Sequence, residues 1–499
     1  MPKYIAGLDE GTGGARTFII NDECEVVGIA SAEIETASPR PGWVEHDPQE
    51  ILRVQLETLR AALRDANLQP ADLTAVSVTN QRETTVVWEK DTGKPLYPAI
   101  GWASRQTVGV VEQWVAEGHG EDIERRTGLN PDAYYSASKV RWILDQVPGA
   151  QERAERGELL TGTIDTWLVW NLTAGKSHVT DHSNASRTMM LNLDTATWDD
   201  QLLAAYGIPR VMLPEVASSN AIVGDINPTF GVDVPICGIL GDQQAGLFGQ
   251  AAYTPGQVKM TYGTAGVLNI NSGDTPQRIV GLTPSIGWGI DGKVTYEIEG
   301  VLFAMGKTMQ WLRDDLKLIH QAPDTEWYAG QVPSTDGVYL VPAFNGLSAP
   351  IWDSYARAAI IGMSNATTRL HVIRAAVESM VYQTRDIVEA VKSGSDIALP
   401  ELRVDGGAVK NNFLCQLQAD MLGIPVVRPK NQEATVFGSM LMAGLGTGVW
   451  GSLDELAGLW EEDRTFEPQM SRDEADSLYQ GWLAARDLTR GWLKKSGQA

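Results

Sequence analysis

The chain is poor in the residues that staple or metallate a fold: 499 residues hold three cysteines, Cys24, Cys237 and Cys415, and six histidines. The cysteines are odd in number, widely spaced and in no CxxC pair, which argues against a disulfide framework or a cysteine zinc site and favours a reducing cytosol. His178 and His182 stand four apart, but the intervening Val-Thr-Asp does not make an HExxH pair, so no zinc centre is expected. No segment approaches the ~18 apolar residues of a membrane span, and the opening Met1-Pro-Lys-Tyr-Ile-Ala-Gly-Leu-Asp9 turns polar after one short apolar run. A cytoplasmic protein without stable membrane insertion is expected.

Positive charge is scarce as well. Lys and Arg number 40 against 63 Asp and Glu, a formal net charge of -23, and that field repels nucleic acid and anionic membranes. No nucleic-acid partner is expected. Long Pro/Ser or Gln/Asn tracts are missing too, and hydrophobic residues at 43% with charged residues at 21% fit a globular protein. The length exceeds one ordinary core of ~100–200 residues, which predicts two or more domains with a cleft between them.

What is present is a repeated pattern of short apolar strands ending in polar turns. Residues 4 to 9 lead into Asp9-Glu-Gly-Thr-Gly-Gly-Ala-Arg16, after which Thr17-Phe-Ile-Ile-Asn21 is strand-like again. A helical pattern over residues 48 to 66 precedes Thr74-Ala-Val-Ser-Val-Thr79, which ends in Asn80-Gln81-Arg82-Glu83. Val234-Pro-Ile-Cys-Gly-Ile-Leu240 ends in Gly241-Asp242-Gln243-Gln244. In α/β architectures ligands collect at such strand ends, because strands fix geometry and loops supply chemistry. The second half opens with Gln257-Val-Lys-Met-Thr261, Tyr262-Gly-Thr-Ala-Gly266 and Val267-Leu-Asn-Ile270, an echo of the first hairpin. The echo and the turn at Thr254-Pro-Gly256 predict two domains of related topology, residues 1–250 and 251–499. Farther on, residues 402–412 read as strand, glycine turn and helix start, and residues 473–495 as a closing amphipathic helix with Leu478, Trp482 and Trp492.

Each polar cluster has a plain reading beside a chemical one. In the first loop three glycines let backbone N–H groups point at an anion, Thr12 offers a hydroxyl, Arg16 neutralises a phosphate and Asp9 suits Mg²⁺; a simple glycine hairpin is the alternative. An acidic chain that binds ATP must build local positive potential this way. Two segments imitate a phosphate-binding P-loop. Trp170-Asn-Leu-Thr-Ala-Gly175-Lys176-Ser177 lacks the first glycine, and Gly300 to Thr308 carries five apolar residues where a loop is needed; neither qualifies. Asp242 is either a helix cap or a general base that takes the proton of an acceptor hydroxyl. Arg82 and Glu83 are either a local ion pair or a forked donor and acceptor for neighbouring hydroxyls of a polyol. Trp102 is core or the wall of that ligand's carbon edge.

Several segments together resemble the FGGY carbohydrate kinase family, in particular its glycerol-phosphorylating members. These are Pro41-Gly-Trp-Val-Glu-His-Asp-Pro48, Thr79-Asn-Gln-Arg-Glu-Thr-Thr85, Thr166-Trp-Leu168, Thr180-Asp-His-Ser-Asn-Ala-Ser-Arg-Thr188, Gly241-Asp-Gln-Gln-Ala245, Arg403-Val-Asp-Gly-Gly-Ala408 and the stretch Tyr134 to Gln146 with Ser136, Lys139 and Trp142. The resemblance implies two actin-like, ribonuclease-H-like α/β domains closing around ATP-Mg²⁺ and the acceptor, with the γ-phosphate passed to a terminal hydroxyl of glycerol. It implies a homodimer or homotetramer. By position, Arg82, Glu83, Trp102, Tyr134, Asp242 and Gln243 fall on the acceptor side, with Asp242 as base, and Asp9 on the metal. Thr12, Gly13, Arg16, Thr264, Gly306, Gln310, Gly407 and Asn411 fall on the nucleotide.

The chain also departs from that pattern. The phosphate loop usually reads Asp-Gln-Gly-Thr-Thr-Ser, a small residue and Arg, whereas Glu10, Gly13, Gly14 and Ala15 stand here, an extra carboxylate with fewer donors. Val267 takes the place of a Phe that walls the acceptor pocket, and Lys307 is unusual beside Gly306. The loop that carries allosteric or phosphorylation control in relatives is shortened to Asn227-Pro-Thr-Phe-Gly-Val232, so neither control is expected. A kinase for another polyol or hydroxyketone and a catalytically weakened regulatory homologue stay open as alternatives.

Overall fold

A computed structural model describes residues 2–497 of the chain. Its frame is a pair of mixed sheets. The first runs, from one edge, Gly224–Asp225, Pro235–Gly241, Leu73–Asn80, Tyr4–Gly11, Gly14–Asn21 and Val26–Glu33. The second runs Thr283–Ile290, Lys293–Leu302, Gly266–Gly273, Val258–Tyr262, Leu402–Asp405, Val426–Pro429 and Glu462–Phe466. In both, the opening strand pairs antiparallel with its hairpin partner and parallel with a strand from much later in the chain. The echo between residues 4–21 and 258–273 is therefore one of connectivity. This is the two-domain actin-like α/β architecture.

The first strand is buried on both faces, which is why it reads as a continuous apolar run rather than an alternation. One face is covered by helix Pro48–Asp65. Asp47 caps it by accepting from Gln49 N, a proline opens it, and Ile51, Val54, Leu59 and Ala62 pack on Ala6, Leu8, Ile19 and Val76. The other face is covered by helix Ala434–Gly446 from the far end of the chain, through Val436, Met440 and Ala443 against Ile5, Phe18, Ile20 and Leu240. The turn near residue 250 thus separates two sheets, while this late helix crosses over to complete the packing of the first.

That late helix also fixes the helix Asp242–Gly249. Their backbones touch so closely that a Cβ on Gly438 would lie 1.9 Å from the carbonyl oxygen of Ala245, a contact only glycine permits.

Two sequence expectations meet specific outcomes. The closing helix does not run unbroken over residues 473–495: it spans Arg472–Thr489, stops where Gly491 adopts φ 61°, and resumes as the single turn Trp492–Lys495. Trp482 is fully buried, donating to Asp386 Oδ2 at 3.0 Å, while Trp492 is half exposed and closes nothing. Of the two P-loop imitations, Gly300 lies inside strand Lys293–Leu302, and Trp170 and Leu172 lie in helix Ile164–Leu172, so neither first residue is in a loop.

Candidate active site

The ends of the first sheet's strands converge on one side of the cleft. Asp9 and Arg16 are cross-strand partners in the opening hairpin, and the guanidinium meets Asp9 Oδ2 through Nε at 3.0 Å and Nη2 at 2.5 Å. Its Nη1 reaches Glu433 Oε2 at 2.7 Å, so Arg16 joins the two halves of the chain. Burial pushes the Asp9 carboxyl up and Arg16 pulls it back. Among the described residues no hydrogen bond goes to Oδ1. Thr12, at the hairpin tip, accepts from the Trp102 indole at 2.8 Å, and Gly13 beside it is open, with nothing within 4 Å of where a Cβ would stand.

Glu10 points the other way and is fully buried. Gln81 Nε2 donates to its Oε1 at 3.1 Å, and its Oε2 has no partner. Burial pushes this carboxyl well above the usual range, because a bare carboxylate without donors is costly in low dielectric. Burial thus works against ionisation of the extra carboxyl in the loop, and Gln81 donates to it from the neighbouring strand's turn.

The turn after Leu73–Asn80 carries the second group. Glu83 sits at φ 61°, a strained backbone for a side chain of its size. The strain is held by Lys139 Nζ and Ser136 Oγ, which donate to the Glu83 carbonyl at 2.9 and 3.1 Å. Burial lowers Lys139 to about 7. Arg82, 4% exposed, lies with Nε 3.1 Å from Asp242 Oδ1, off the hydrogen-bonding line but in ion-pair range. Asp242 is the first residue of its helix, with Gly241 at the cap position, and its Oδ1 accepts from the Gln243 N–H at 2.7 Å, so it also serves the helix start. Trp102 and Tyr134 meet edge to face at 5.8 Å, forming an aromatic corner beside these charges.

A third group comes from the middle of the second sheet, and sequence reasoning missed it. Arg82 Nη1 donates to Glu299 Oε2 at 2.7 Å. Arg187 contacts Glu299 Oε1 through Nη2 at 2.8 Å and donates to Glu83 Oε1 through Nε at 2.8 Å. Glu297, next on the same face, accepts from Gln244, Ser285 and Asn269. All of these charged side chains are nearly or fully buried. The two guanidinium groups overcome burial and hold Glu299 down at about 2, whereas burial and then Glu299 itself push Glu297 up to about 7. Lys259, 1% exposed, donates to Gln243 Oε1 and Thr261 Oγ1, both at 2.8 Å.

The candidate nucleotide residues gather at the end of the second sheet. The N–H of Gly306 donates to the Gly263 carbonyl at 3.0 Å and that of Lys307 to the Thr264 carbonyl at 3.1 Å, which sets Thr264 against the start of helix Gly306–Asp314. A Cβ on Gly306 would lie 2.7 Å from Gly263 O, which explains the glycine beside an exposed lysine. Gln310 follows one helical turn later. Gly406 packs on the backbone of Tyr262 and brings Gly407, which is open, to the same end. Asn411 caps helix Asn412–Leu422 through Leu414 N and donates to Thr325 Oγ1 at 3.2 Å. Among the described residues no hydrogen bond joins these five to Asp9 or Asp242; Lys259, bonded to both Gln243 and Thr261, links the two sides.

Among the described residues no group of three or more His, Cys, Asp or Glu is arranged to hold a metal alone. The free Oδ1 of Asp9 does suit a hard cation that takes its other ligands from phosphate oxygens and water, as Mg²⁺ does.

Comparison with known proteins gives consistent results. The sequence pattern of the FGGY family of carbohydrate kinases, N-terminal domain, matches residues 4–249, and that of its C-terminal domain matches residues 258–447. Glycerol kinase 2 of Thermotoga maritima is 50% identical over 495 residues, 99% of this chain and 100% of its own. Glycerol kinase of Geobacillus kaustophilus is 51% identical over 488 residues, 97% of this chain and 98% of its own. The crystal structure of Plasmodium falciparum glycerol kinase with ADP superposes with a TM-score of 0.92 at 33% identity, covering 98% of each chain.

Proposed function

The chain belongs to the FGGY family of carbohydrate kinases, and from that premise we propose that it transfers the γ-phosphate of ATP to a terminal hydroxyl of glycerol, giving sn-glycerol 3-phosphate and ADP. The observation that carries this reading is the Asp242 carboxylate at a strand end, 3.1 Å from the buried Arg82 and on the same cleft as the Asp9–Arg16 hairpin. The relatives named above support glycerol as the acceptor.

In this reading Asp242 accepts the proton of the acceptor hydroxyl as that oxygen forms its bond to the γ-phosphorus. The bond to the β,γ-bridging oxygen breaks, and ADP leaves with the electron pair. Arg82 and Glu83 hold the neighbouring hydroxyls, Trp102 and Tyr134 line the carbon edge, and Gln243 completes the acceptor site. The backbone of the Thr12-Gly13 tip and the Arg16 guanidinium receive phosphate oxygens. Thr264, Gly306, Gln310, Gly407 and Asn411 receive the nucleoside end. Asp9, with the nucleotide's phosphates, would hold Mg²⁺, which would supply charge neutralisation at the transferring group. We assign the reaction to the cytoplasm and expect a homodimer or homotetramer, which light scattering on the purified protein checks.

One observation favours a second reading. Val267 is half-buried and pairs across the hairpin with Thr261, on the polar face of the sheet, so a modest side chain lines the cleft there. A larger polyol or hydroxyketone would fit that space. An ADP-release assay across a polyol panel decides: turnover on glycerol at low KM supports the first reading, preference for a four- or five-carbon acceptor the second. Silence on every polyol would contradict both and point to a regulatory protein.

A further inference from the structure

Strand Val258–Tyr262 presents Val258, Met260 and Tyr262 to the apolar core of its own half, so Lys259 and Thr261 face the first half. Lys259 is 1% exposed. A lysine buried for stability alone is expected to sit directly on a carboxylate, since an unpaired buried charge is costly. Lys259 does not: among the described residues no carboxylate forms an ion pair with its ammonium. Two neutral oxygens hold it instead, Gln243 Oε1 and Thr261 Oγ1, each at 2.8 Å. These use two of its three N–H groups.

The two acceptors have different owners. Gln243 follows Asp242 on the helix that opens from the first half, while Thr261 precedes the turn bearing Thr264 in the second. The ammonium also lies in the combined field of Asp405, Glu297, Asp242 and Glu299, which offsets part of the cost of its burial.

We propose that Lys259 is a positioning residue for phosphoryl transfer: it ties the start of the base-bearing helix to the nucleotide-side strand, so that the acceptor oxygen and the γ-phosphate are held in line. This rests on the kinase reading above. The acceptor contacts of Arg82, Glu83, Trp102 and Tyr134 do not pass through Lys259, and neither do those assigned to Gly306, Gly407 and Asn411. Gln243 is the one acceptor-side residue that Lys259 touches, so its loss leaves most of ground-state binding in place and removes alignment, to which transfer is steeply sensitive.

The test is steady-state kinetics of the full-length protein and of Lys259→Met, Lys259→Arg and Thr261→Val, with glycerol and ATP each varied and thermal midpoints recorded. Lys259→Met is expected to lower kcat by about 100-fold, with both KM values within about threefold. Lys259→Arg is expected to recover part of the loss, and Thr261→Val to lower kcat by about 5–10-fold. Unchanged kcat in Lys259→Met overturns the proposal, as does a loss carried entirely by KM. If Lys259→Met does not fold, Thr261→Val decides, and an unchanged kcat there overturns it. The parent enzyme keeps the two levels apart. Parent turnover on another polyol but not glycerol overturns only the acceptor assignment, and the variants are then compared on that polyol. A parent silent on every polyol overturns both.

Discussion

The two sheets share the order of their central strands and differ in where they keep their polar groups. In the first sheet charge gathers at the strand ends: Asp9 and Glu10 close strand Tyr4–Gly11, Arg16 opens the next, and Arg82, Glu83 and Asp242 follow the ends of theirs. In the second, buried charge runs into mid-strand, at Lys259, Glu297 and Glu299. Strand-end groups border turns and can meet a ligand; mid-strand groups have ladder on both sides and orient what faces them. The difference divides the labour: the first sheet supplies the reacting side chains, and the second holds them in register.

Four substitutions break or sharpen that division. The largest effect belongs to a strand-end group: Asp242→Asn is expected to lower kcat by about 1,000-fold or more with little change in fold stability, read by coupled ADP release and thermal melting. A mid-strand group should show the opposite balance. Glu299→Ala leaves Arg82 and Arg187 without their shared partner and is expected to cost about 3 kcal/mol of stability in denaturant titration, with a kcat/KM loss of about 10–100-fold.

Glu297 sharpens the comparison through pH. Burial beside Glu299 raises its carboxyl from the ordinary 4.5 to about 7, so the folded protein holds that proton more tightly than the unfolded chain. The stability this contributes is fully present below about pH 4.5 and is lost as pH rises through 7, by up to about 3 kcal/mol. Glu297→Gln should flatten that slope in melts taken from pH 5 to 8; an unchanged slope would show the proton is not there. The smallest effect is expected at the hairpin: Val267→Phe should lower turnover on four- and five-carbon polyols relative to glycerol by a few-fold, about 1 kcal/mol of discrimination.

The same contrast explains what the sequence made legible. Asp9, Arg82 and Asp242 stand where an apolar strand abruptly turns polar, a break in pattern that marks a site in the sequence itself. Lys259, Glu297 and Glu299 alternate with apolar residues in Val-Lys-Met-Thr-Tyr and Glu-Ile-Glu, a period-two pattern that a half-solvated strand also produces. Only the packing of the second sheet against the first shows that this polar face is buried. Arg187 was visible as part of a familiar segment, but its bridge from Glu83 to Glu299 joins residues 104 and 112 positions away, which no local pattern records. The helix Ala434–Gly446 was invisible as part of the first core for the same reason, and the break at Gly491 went unread because a lone glycine within an apolar period is often tolerated.

The most direct test of the account is a crystal structure with glycerol and a non-hydrolysable ATP analogue bound. The account predicts an Asp242 oxygen within hydrogen-bonding distance of the terminal hydroxyl, with that hydroxyl in line with the γ-phosphorus. A complex with both ligands bound and that carboxylate turned away from the hydroxyl would contradict it.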